Sequence, residues 1–224
     1  MSALHMDRWG LAGDRSPAAG AFVFDHGDDG DGVIGRHVVA PTADSARIDA
    51  LLAAGALQVL IGEAALHDAG LVAAAIERHG PGRIGIWLRV RLAETRWALD
   101  RESNADFSFV SIASPVRRWL VLRADNSLTD VDALWWAGEM LQAGCAAILV
   151  SVSAPQDDDL LPCAEMAEVA GERFWLDAGS ADVAELRFWV KYGQARQLVL
   201  PRHSDLDQAM AGLNARLTHE GRAV

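Results

Sequence analysis

The sequence predicts an α/β protein built on a parallel β-sheet, and three observations support this fold class. Residues 58–62 form a short apolar strand, residues 69–79 a helix and residues 83–90 a second apolar strand, a βαβ unit that requires parallel strands. From residue 130 to the C-terminus, predicted helices and strands alternate, which is typical of α/β folds. The chain has 224 residues, 51% of them hydrophobic, so it can bury one large core.

The other elements are predicted from apolar runs and from the turn residues between them. Residues 1–20 are poorly periodic and form an N-terminal arm or a degenerate first element, whereas residues 21–224 form a single domain. The predicted strands are residues 21–25, 36–40, 58–62, 83–90, 107–113, 118–123, 146–153, 173–177 and 196–201. The predicted helices are residues 43–54, 69–79, 130–143, 157–170, 181–192 and 205–219.

Charge and composition exclude several classes of partner. The formal net charge is −11, from 31 acidic and 20 basic side chains, and such a surface repels nucleic-acid phosphates and anionic lipids. No segment has the ~18 uncharged apolar residues of a membrane span, and the N-terminus lacks the build of a signal peptide. We therefore expect a cytoplasmic protein that binds neither nucleic acid nor membrane. Cys145 and Cys163 form no close-spaced metal pair and are expected to be packing residues.

The stretch from residue 55 to residue 91 resembles one known family. The residues that carry the resemblance are Gly55, Ala56, Val59, Ile61, Gly62, Ala64, Ala65, Leu66, Leu71, Val72, Arg78, His79 and Gly80. Similar residues occupy the fourth strand, fourth helix and fifth strand of the histidine-biosynthesis barrels, the phosphoribosylformimino isomerase and the cyclase subunit of imidazole glycerol phosphate synthase. The resemblance covers residues 36–91 and 118–224. It implies a TIM (βα)8-type barrel that is incomplete or remodelled at its N-terminus.

Two assignments of the barrel strands are open. In the first, residues 58–62 are the fourth strand, and the first strand is missing or lies within residues 1–20. In the second, residues 22–25 are the first strand, and eight strands are reached only by counting residues 107–113 as the fourth. We favour the first assignment because the match over residues 55–91 is longer and more specific.

The site of such a barrel lies at the carboxyl ends of its strands, and the period-two alternation of a strand predicts which residues point inward. Trp87 and Arg89 are predicted inward on one strand, Ser151 and Ser153 on the next, and Asp177 on the one after, together with Leu149 and Trp175. The resemblance places the family's two catalytic acids at Arg89 and near Ala154. Because neither position is acidic here, we expect no histidine-pathway reaction.

The family's phosphate-binding turns are also altered. Its first glycine-rich turn corresponds to residues 40–45, where Pro41 has no N–H group and Asp44 adds negative charge. Its second corresponds to residues 178–180, where Gly179 and Ser180 retain half of a cradle. The residues predicted to bind substrate or phosphate are Gly179, Ser180, Ser151, Ser153 and Arg202.

Four residues are catalytic candidates. Arg89 would hold an anion, Asp177 or His203 would move protons, and Asp25 ends a strand before an acidic loop. Structural alternatives stay open for each: an Arg89–Asp177 ion pair across the barrel, an exposed loop histidine at His203, and a solvated acidic turn after Asp25. The acidic run lacks calcium-loop spacing, so neither a metal nor a cofactor is predicted.

These residues leave two classes of function. The first is a biosynthetic isomerase or lyase that acts on a small anionic metabolite, phosphorylated or carboxylated. A variant of it places the protein in furan- or pterin-type cofactor biosynthesis, because divergent barrels of this superfamily serve such pathways. The second is a catalytically silent barrel that works as a subunit or scaffold, as a homo-oligomer or beside a partner barrel. A mouth pocket lined by Arg89, Ser151 and Asp177 would favour the enzyme, and a mouth filled by side chains would favour the scaffold.

Overall fold

Twelve strands are present in the computed structural model of the chain, which describes residues 3–11, 21–27, 31–94, 101–104, 107–110 and 117–221. Eight of the strands are short, parallel and arranged around one axis. In chain order the strands are β1 (His5–Arg8), β2 (Phe22–Phe24), β3 (His37–Ala40), β4 (Gln58–Ile61), β5 (Ile84–Glu94), β6 (Arg101–Asn104), β7 (Phe107–Val110), β8 (Arg117–Leu122), β9 (Leu128–Asp132), β10 (Ile148–Val152), β11 (Phe174–Asp177) and β12 (Gln197–Leu200).

The eight parallel strands form a nearly closed barrel. Their order in space is β1, β12, β11, β10, β5, β4, β3 and β2, so the barrel strands follow one another in chain order. The seam between β1 and β2 is closed by a single parallel bridge between Trp9 and Phe22, with the Gly10 amide donating to the Phe22 carbonyl at 2.7 Å. The predicted TIM-type α/β barrel is therefore confirmed.

The strand order decides between the two assignments. β4 is the fourth barrel strand in chain order and the first strand is β1, so the favoured assignment is the one observed. The second assignment is wrong because β7 pairs with β6 in a separate two-stranded hairpin. Another correction concerns residues 130–132, predicted as the start of a helix. They belong to β9, because β8 and β9 pair in an antiparallel hairpin.

Helices follow β3, β4, β10, β11 and β12 and cover the outside of the barrel. They are α1 (Ser45–Ala53), α2 (Glu63–His67), α3 (Ala69–His79), α4 (Ala133–Gln142), α5 (Leu160–Ala170), α6 (Val183–Lys191) and α7 (Leu206–Gly221). An aspartate caps five of them by accepting a backbone N–H group in the first turn: Asp44 for α1, Asp68 for α3, Asp132 for α4, Asp182 for α6 and Asp205 for α7. Within the described residues, no helix is long and apolar enough to cross a membrane.

β5 extends beyond the barrel and carries an excursion. Its second half pairs with β8, from Val90 opposite Val121 to Glu94 opposite Arg117. β9 then returns along β8 and leads directly into α4. The strand predicted at residues 83–90 is therefore longer than expected, because pairing with β8 keeps residues 91–94 extended. This hairpin brings the turn after β8 next to the barrel mouth.

Side chains on alternate positions of the strands form an outer and an inner core. Ile84, Ile86, Leu88 and Val90 of β5 are buried in the larger cluster, which packs against the helices. The barrel interior holds a second cluster, Phe22, Val39, Leu60, Ala147, Leu149, Trp175 and Val199, with Trp9, Ala21, Phe24 and Trp87 packed against it. The period-two pattern therefore predicted the inward positions of Trp87 and Trp175 correctly. Cys145 and Cys163 are free, buried thiols, and burial raises the pKa of Cys145 to about 12.

Gly85 tests the tightness of the inner core. A Cβ atom there would lie 2.5 Å from the Ala147 carbonyl oxygen and 2.5 Å from Leu60 Cδ2. Because the Ala147 oxygen belongs to the backbone of the neighbouring strand, we expect Gly85→Ala to lower the free energy of unfolding by about 1–3 kcal/mol in urea denaturation. Gly138→Ala is the matched control, since nothing lies within 4 Å of its Cβ and α4 should gain about 0.5–1 kcal/mol. Equal effects of the two changes would contradict this packing.

Candidate functional site

Aromatic side chains fill the mouth of the barrel. Trp9 follows β1, Phe24 ends β2 and Trp87 lies on β5. The rings of Trp9 and Phe24 are stacked, with centroids 4.5 Å apart and planes 9° from parallel. The rings of Phe24 and Trp87 are packed edge to face, with centroids 5.3 Å apart. These three rings cover the inner core at the end of the barrel where TIM-barrel enzymes bind their substrates.

A chain of hydrogen bonds lies beside these rings. The Trp87 indole N–H donates to Ser151 Oγ at 2.9 Å, and the Ser151 hydroxyl donates to Asp177 Oδ2 at 3.0 Å. The Trp9 indole N–H donates to the same carboxylate oxygen at 3.0 Å, and the Gly179 amide donates to Asp177 Oδ1 at 3.0 Å. We call these five residues the Asp177 network. It joins β1, β5, β10 and β11 across the mouth.

The strand register explains how this network forms. Ser151 and Asp177 are register partners on β10 and β11, and both positions have inward parity, so their side chains meet without any distortion of the sheet. Trp87 is opposite Leu149 on the neighbouring strand, one inward position below Ser151. Its long indole bridges that step. The parity argument from the sequence placed Ser151, Asp177 and Trp87 on the inner face, and the structure brings all three together.

The surroundings of Asp177 shift the pKa of its carboxyl group. Burial is the main influence and raises the pKa of its carboxyl group above the ordinary 3.8. The Gly179 amide, the Ser151 hydroxyl and the Trp9 indole act in the opposite direction, because each donates a hydrogen bond to the charged form. The carboxyl group can therefore take up a proton closer to neutral pH than an exposed aspartate does. Chemically, it could act as an acid or a base if a substrate reached it.

Arg89 is not part of the network. Its guanidinium group donates to the backbone carbonyls of Arg123 at 3.2 Å and Ala124 at 3.3 Å, and to the side chain of Asn126. Among the described residues, it therefore makes no ion pair with Asp177, and the predicted pair across the barrel is wrong. The reason is the β8–β9 hairpin, whose turn presents carbonyl groups closer to Arg89 than any carboxylate. Arg89 fixes that turn to the rim of the barrel.

The side chain of Asp25 is also engaged within the chain, in an ion pair with Arg47. Its two oxygens accept hydrogen bonds from Arg47 Nε at 3.0 Å and from Arg47 Nη2 at 2.7 Å, and the Gly27 amide adds a third at 3.0 Å. The Arg47 guanidinium holds the pKa of this carboxyl group below its usual 3.8. This pair ties the loop after β2 to α1. Asp28 and Asp29 lie outside the described residues. No group of three or more His, Cys, Asp or Glu in the described part of the chain could hold a metal ion.

Two of the candidate phosphate-binding residues, Gly179 and Ser180, line a cavity of about 690 Å³ between the loops after β10 and β11. Gly179 adopts a left-handed φ of +70°, which glycine tolerates, and Ser180 Oγ accepts the Asp182 amide at 3.1 Å. Asp157 and Glu185 also line the cavity, and none of its described lining residues is a lysine or arginine. An anion would therefore meet carboxylates here.

The remaining candidates stand apart from the network. Ser153 is half-buried in the loop after β10, and its amide donates to the Val90 carbonyl at 2.8 Å. Arg202 and His203 are exposed in the turn after β12. Of the predicted site residues, the structure therefore brings together Ser151, Asp177 and Gly179, with Ser180 close by in the chain. Arg89 and Asp25 make other contacts, and Ser153, Arg202 and His203 lie apart from the network.

Two residues of the mouth were missed by the sequence analysis. Trp9 was assigned to an arm, and Phe24 was treated as an ordinary strand residue. Trp9 has the parity of Asp7 in His5–Arg8, the strand before it, but that strand carries a single buried apolar side chain, Met6. The signal that could have found it was the run of alternate residues 5, 7 and 9 ending in a tryptophan.

Comparisons with known proteins add no identification. The chain matches no known protein family and no curated protein. The structure therefore establishes the barrel and the geometry of its mouth, and the resemblance to the histidine-biosynthesis barrels stays an interpretation of the sequence.

Asp177 and Asp25 should show opposite pH dependences. A raised folded pKa means that wild-type stability falls as pH rises from about 4 towards 7, because the unfolded carboxyl group ionises first. We therefore expect the stability of Asp177→Asn relative to wild type to improve over that range in urea denaturation. Asp25 is the control. Because its pKa is lowered in the folded protein, its carboxylate stabilises the fold above about pH 4, and this stabilisation is lost as the group is protonated in more acid solution. The free energy of unfolding of Asp25→Asn should thus lie below that of the wild type by a constant amount above about pH 4.5. If the difference in stability between Asp177→Asn and the wild type stayed constant over that pH range, the raised pKa of Asp177 would be contradicted.

Proposed function

We propose that the chain is a divergent relative of the histidine-biosynthesis barrels that works as a catalytically silent subunit or scaffold. The observation that carries this proposal is that packed aromatic rings and internal hydrogen bonds occupy the mouth of the barrel. Trp9, Phe24 and Trp87 occupy the place of a substrate, and the hydrogen-bonding groups of Ser151 and Asp177 are used within the chain. An enzyme of this fold needs polar groups that face an open cavity at the same place.

The fate of the catalytic candidates supports the same conclusion. At the position of the family's first acid, Arg89 has a guanidinium group, which stays protonated at neutral pH and cannot serve as a general base. Its donors are satisfied by the turn after β8. Asp25 is neutralised by Arg47. Each of these residues has a structural role that accounts for its position.

An anionic substrate is also disfavoured by the charges around the mouth. The N-termini of helices that follow barrel strands usually attract phosphate groups. Here the side chains of Asp44 and Asp182 accept the N–H groups of the first turns of α1 and α6 and add negative charge. The cavity beside Gly179 adds Asp157 and Glu185. These observations weigh against the phosphorylated or carboxylated metabolite predicted from the family.

A second candidate function rests on Asp177. Its raised pKa at the carboxyl end of a barrel strand is suited to an acid or base in catalysis. Asp177 is half-buried, and a movement of Trp9 away from Phe24 would expose its carboxyl group further. Such an enzyme could be an isomerase or lyase, including one of furan- or pterin-type cofactor biosynthesis. In either role the free buried thiols of Cys145 and Cys163 favour a reducing compartment such as the cytoplasm.

Ligand-induced thermal stabilisation distinguishes the two functions. A ligand present at ten times its Kd stabilises a protein by about 1.4 kcal/mol, which raises the Tm of a domain of this size by about 3–6 °C. We expect no such rise with inorganic phosphate, phosphosugars, or pterin and furan precursors, and no turnover of the histidine-pathway substrates. A rise that is present in the wild type and lost in Asp177→Asn would contradict the scaffold and support the enzyme. Arg91→Met controls for the loss of an exposed arginine, and Arg89→Met tests the predicted anion contact.

A further inference from the structure

An apolar groove lies on the outside of the barrel between α4 and α5. Its volume is about 820 Å³, and it is lined by Val131, Leu134, Trp135, Pro162 and Val169 among others. Trp135 is 58% exposed and Val169 is 47% exposed, and Leu161, next to Pro162 in the chain, is 62% exposed. Large apolar side chains clustered on one face mark a surface that another molecule covers.

Trp135 differs from the tryptophans that serve the fold. Trp119 is buried and its indole N–H donates to Asp159 Oδ1 at 2.6 Å. Trp136, the next residue, is buried in the outer core. Trp135 instead turns outward from α4. Among the described residues, the indole N–H groups of both Trp135 and Trp136 have no hydrogen-bond partner, so the exposure of its ring is what distinguishes Trp135. A rigid aromatic side chain held in this way is typical of the residues that dominate binding energy at protein interfaces.

The rim of the groove is acidic. It carries four carboxylates, from Asp130, Asp132, Glu139 and Glu165, and a single guanidinium group, from Arg118. Arg118 is paired with Asp132 at 3.3 Å. Within the described part of the chain, Asp130, Glu139 and Glu165 have no ion-pair partner. An occupant therefore needs apolar side chains for the floor and positive charges for the rim.

We propose that this α4–α5 groove is the docking site of a basic amphipathic helix from a partner protein. Such a helix presents an apolar stripe to a groove and carries lysines or arginines along its edges. A second copy of this chain fits less well, because a two-fold interface would set the same acidic rim against itself. The inference rests on the proposed role as a subunit or scaffold and names the chemistry of its partner.

Two matched peptides test the proposal with the whole protein. Each is a helix of about 16 residues with leucines on one face; one carries lysines on the remaining positions, and the other carries glutamates there. By isothermal titration calorimetry, we expect the lysine peptide to bind with a Kd of about 1–100 μM and more weakly as salt is added. The glutamate peptide should not bind. Equal binding of both peptides, or no binding of the lysine peptide, overturns the proposal.

Variants of the groove locate the binding. Trp135→Ser should raise the Kd of the lysine peptide at least tenfold. Ile34→Ser should leave that Kd unchanged, since Ile34 is as exposed as Trp135, at 60%, but lies outside this groove. The double variant Glu139→Lys and Glu165→Lys should no longer bind the lysine peptide and should bind the glutamate peptide. Unchanged preferences in that variant, or equal effects of the two serine changes, would show that the peptide binds elsewhere and overturn the assignment.

Two further outcomes separate this inference from the proposed function. Self-association in sedimentation that disappears in Trp135→Ser would make a second copy the occupant and overturn the partner helix. A small molecule whose stabilising effect depends on Asp177, with peptide binding intact, would end the scaffold proposal but leave the docking surface standing. Asp177→Asn should bind the lysine peptide as the wild type does, because Asp177 is not among the residues that line the groove.

Discussion

The barrel depends on one short seam, and Trp9 lies at its centre. β1 and β2 share a single bridge, Trp9 with Phe22, and Asp7 Oδ1 supplements it by accepting the Ala21 amide at 2.9 Å. The Trp9 ring stacks on Phe24 across the same seam, and its indole N–H binds Asp177 on the other side of the mouth. The backbone of Trp9 therefore closes the sheet, and its side chain lies across the mouth, so the seam and the mouth meet at one residue.

The contacts at the mouth support the proposed scaffold function. In an enzyme the barrel is closed by its backbone and leaves side chains free at the mouth. Here polar groups of the mouth hold strands together: Ser151 and Asp177 link β10 to β11, and Arg89 fastens the hairpin after β8. The exposed apolar side chains lie elsewhere, around Trp135 on the outside of the barrel. The proposed docking surface therefore lies on the outside of the barrel.

The sequence predicted most of the barrel because β3, β4, β5, β10, β11 and β12 carry strong apolar patterns. It missed β1 because His5–Arg8 has a single buried apolar residue and polar residues with inward parity. Parity alone placed Ser151 and Asp177 on the inner face, since their meeting depends only on the register of adjacent strands. The partner of Arg89 could not be predicted in this way, because the turn after β8 reaches it through a pairing between distant segments.

Hydrogen exchange at the indole N–H groups tests the closed mouth most directly. In ¹⁵N-labelled protein, with tryptophan signals assigned through single Trp→Phe variants, Trp9 and Trp87 should exchange far more slowly than the exposed Trp135, because their N–H groups are hydrogen-bonded inside the mouth. Protection of Trp9 should fall in Asp177→Ala, which removes its acceptor. If Trp9 exchanges as fast as Trp135 in the wild type, the mouth is open in solution and the account of a closed barrel is wrong.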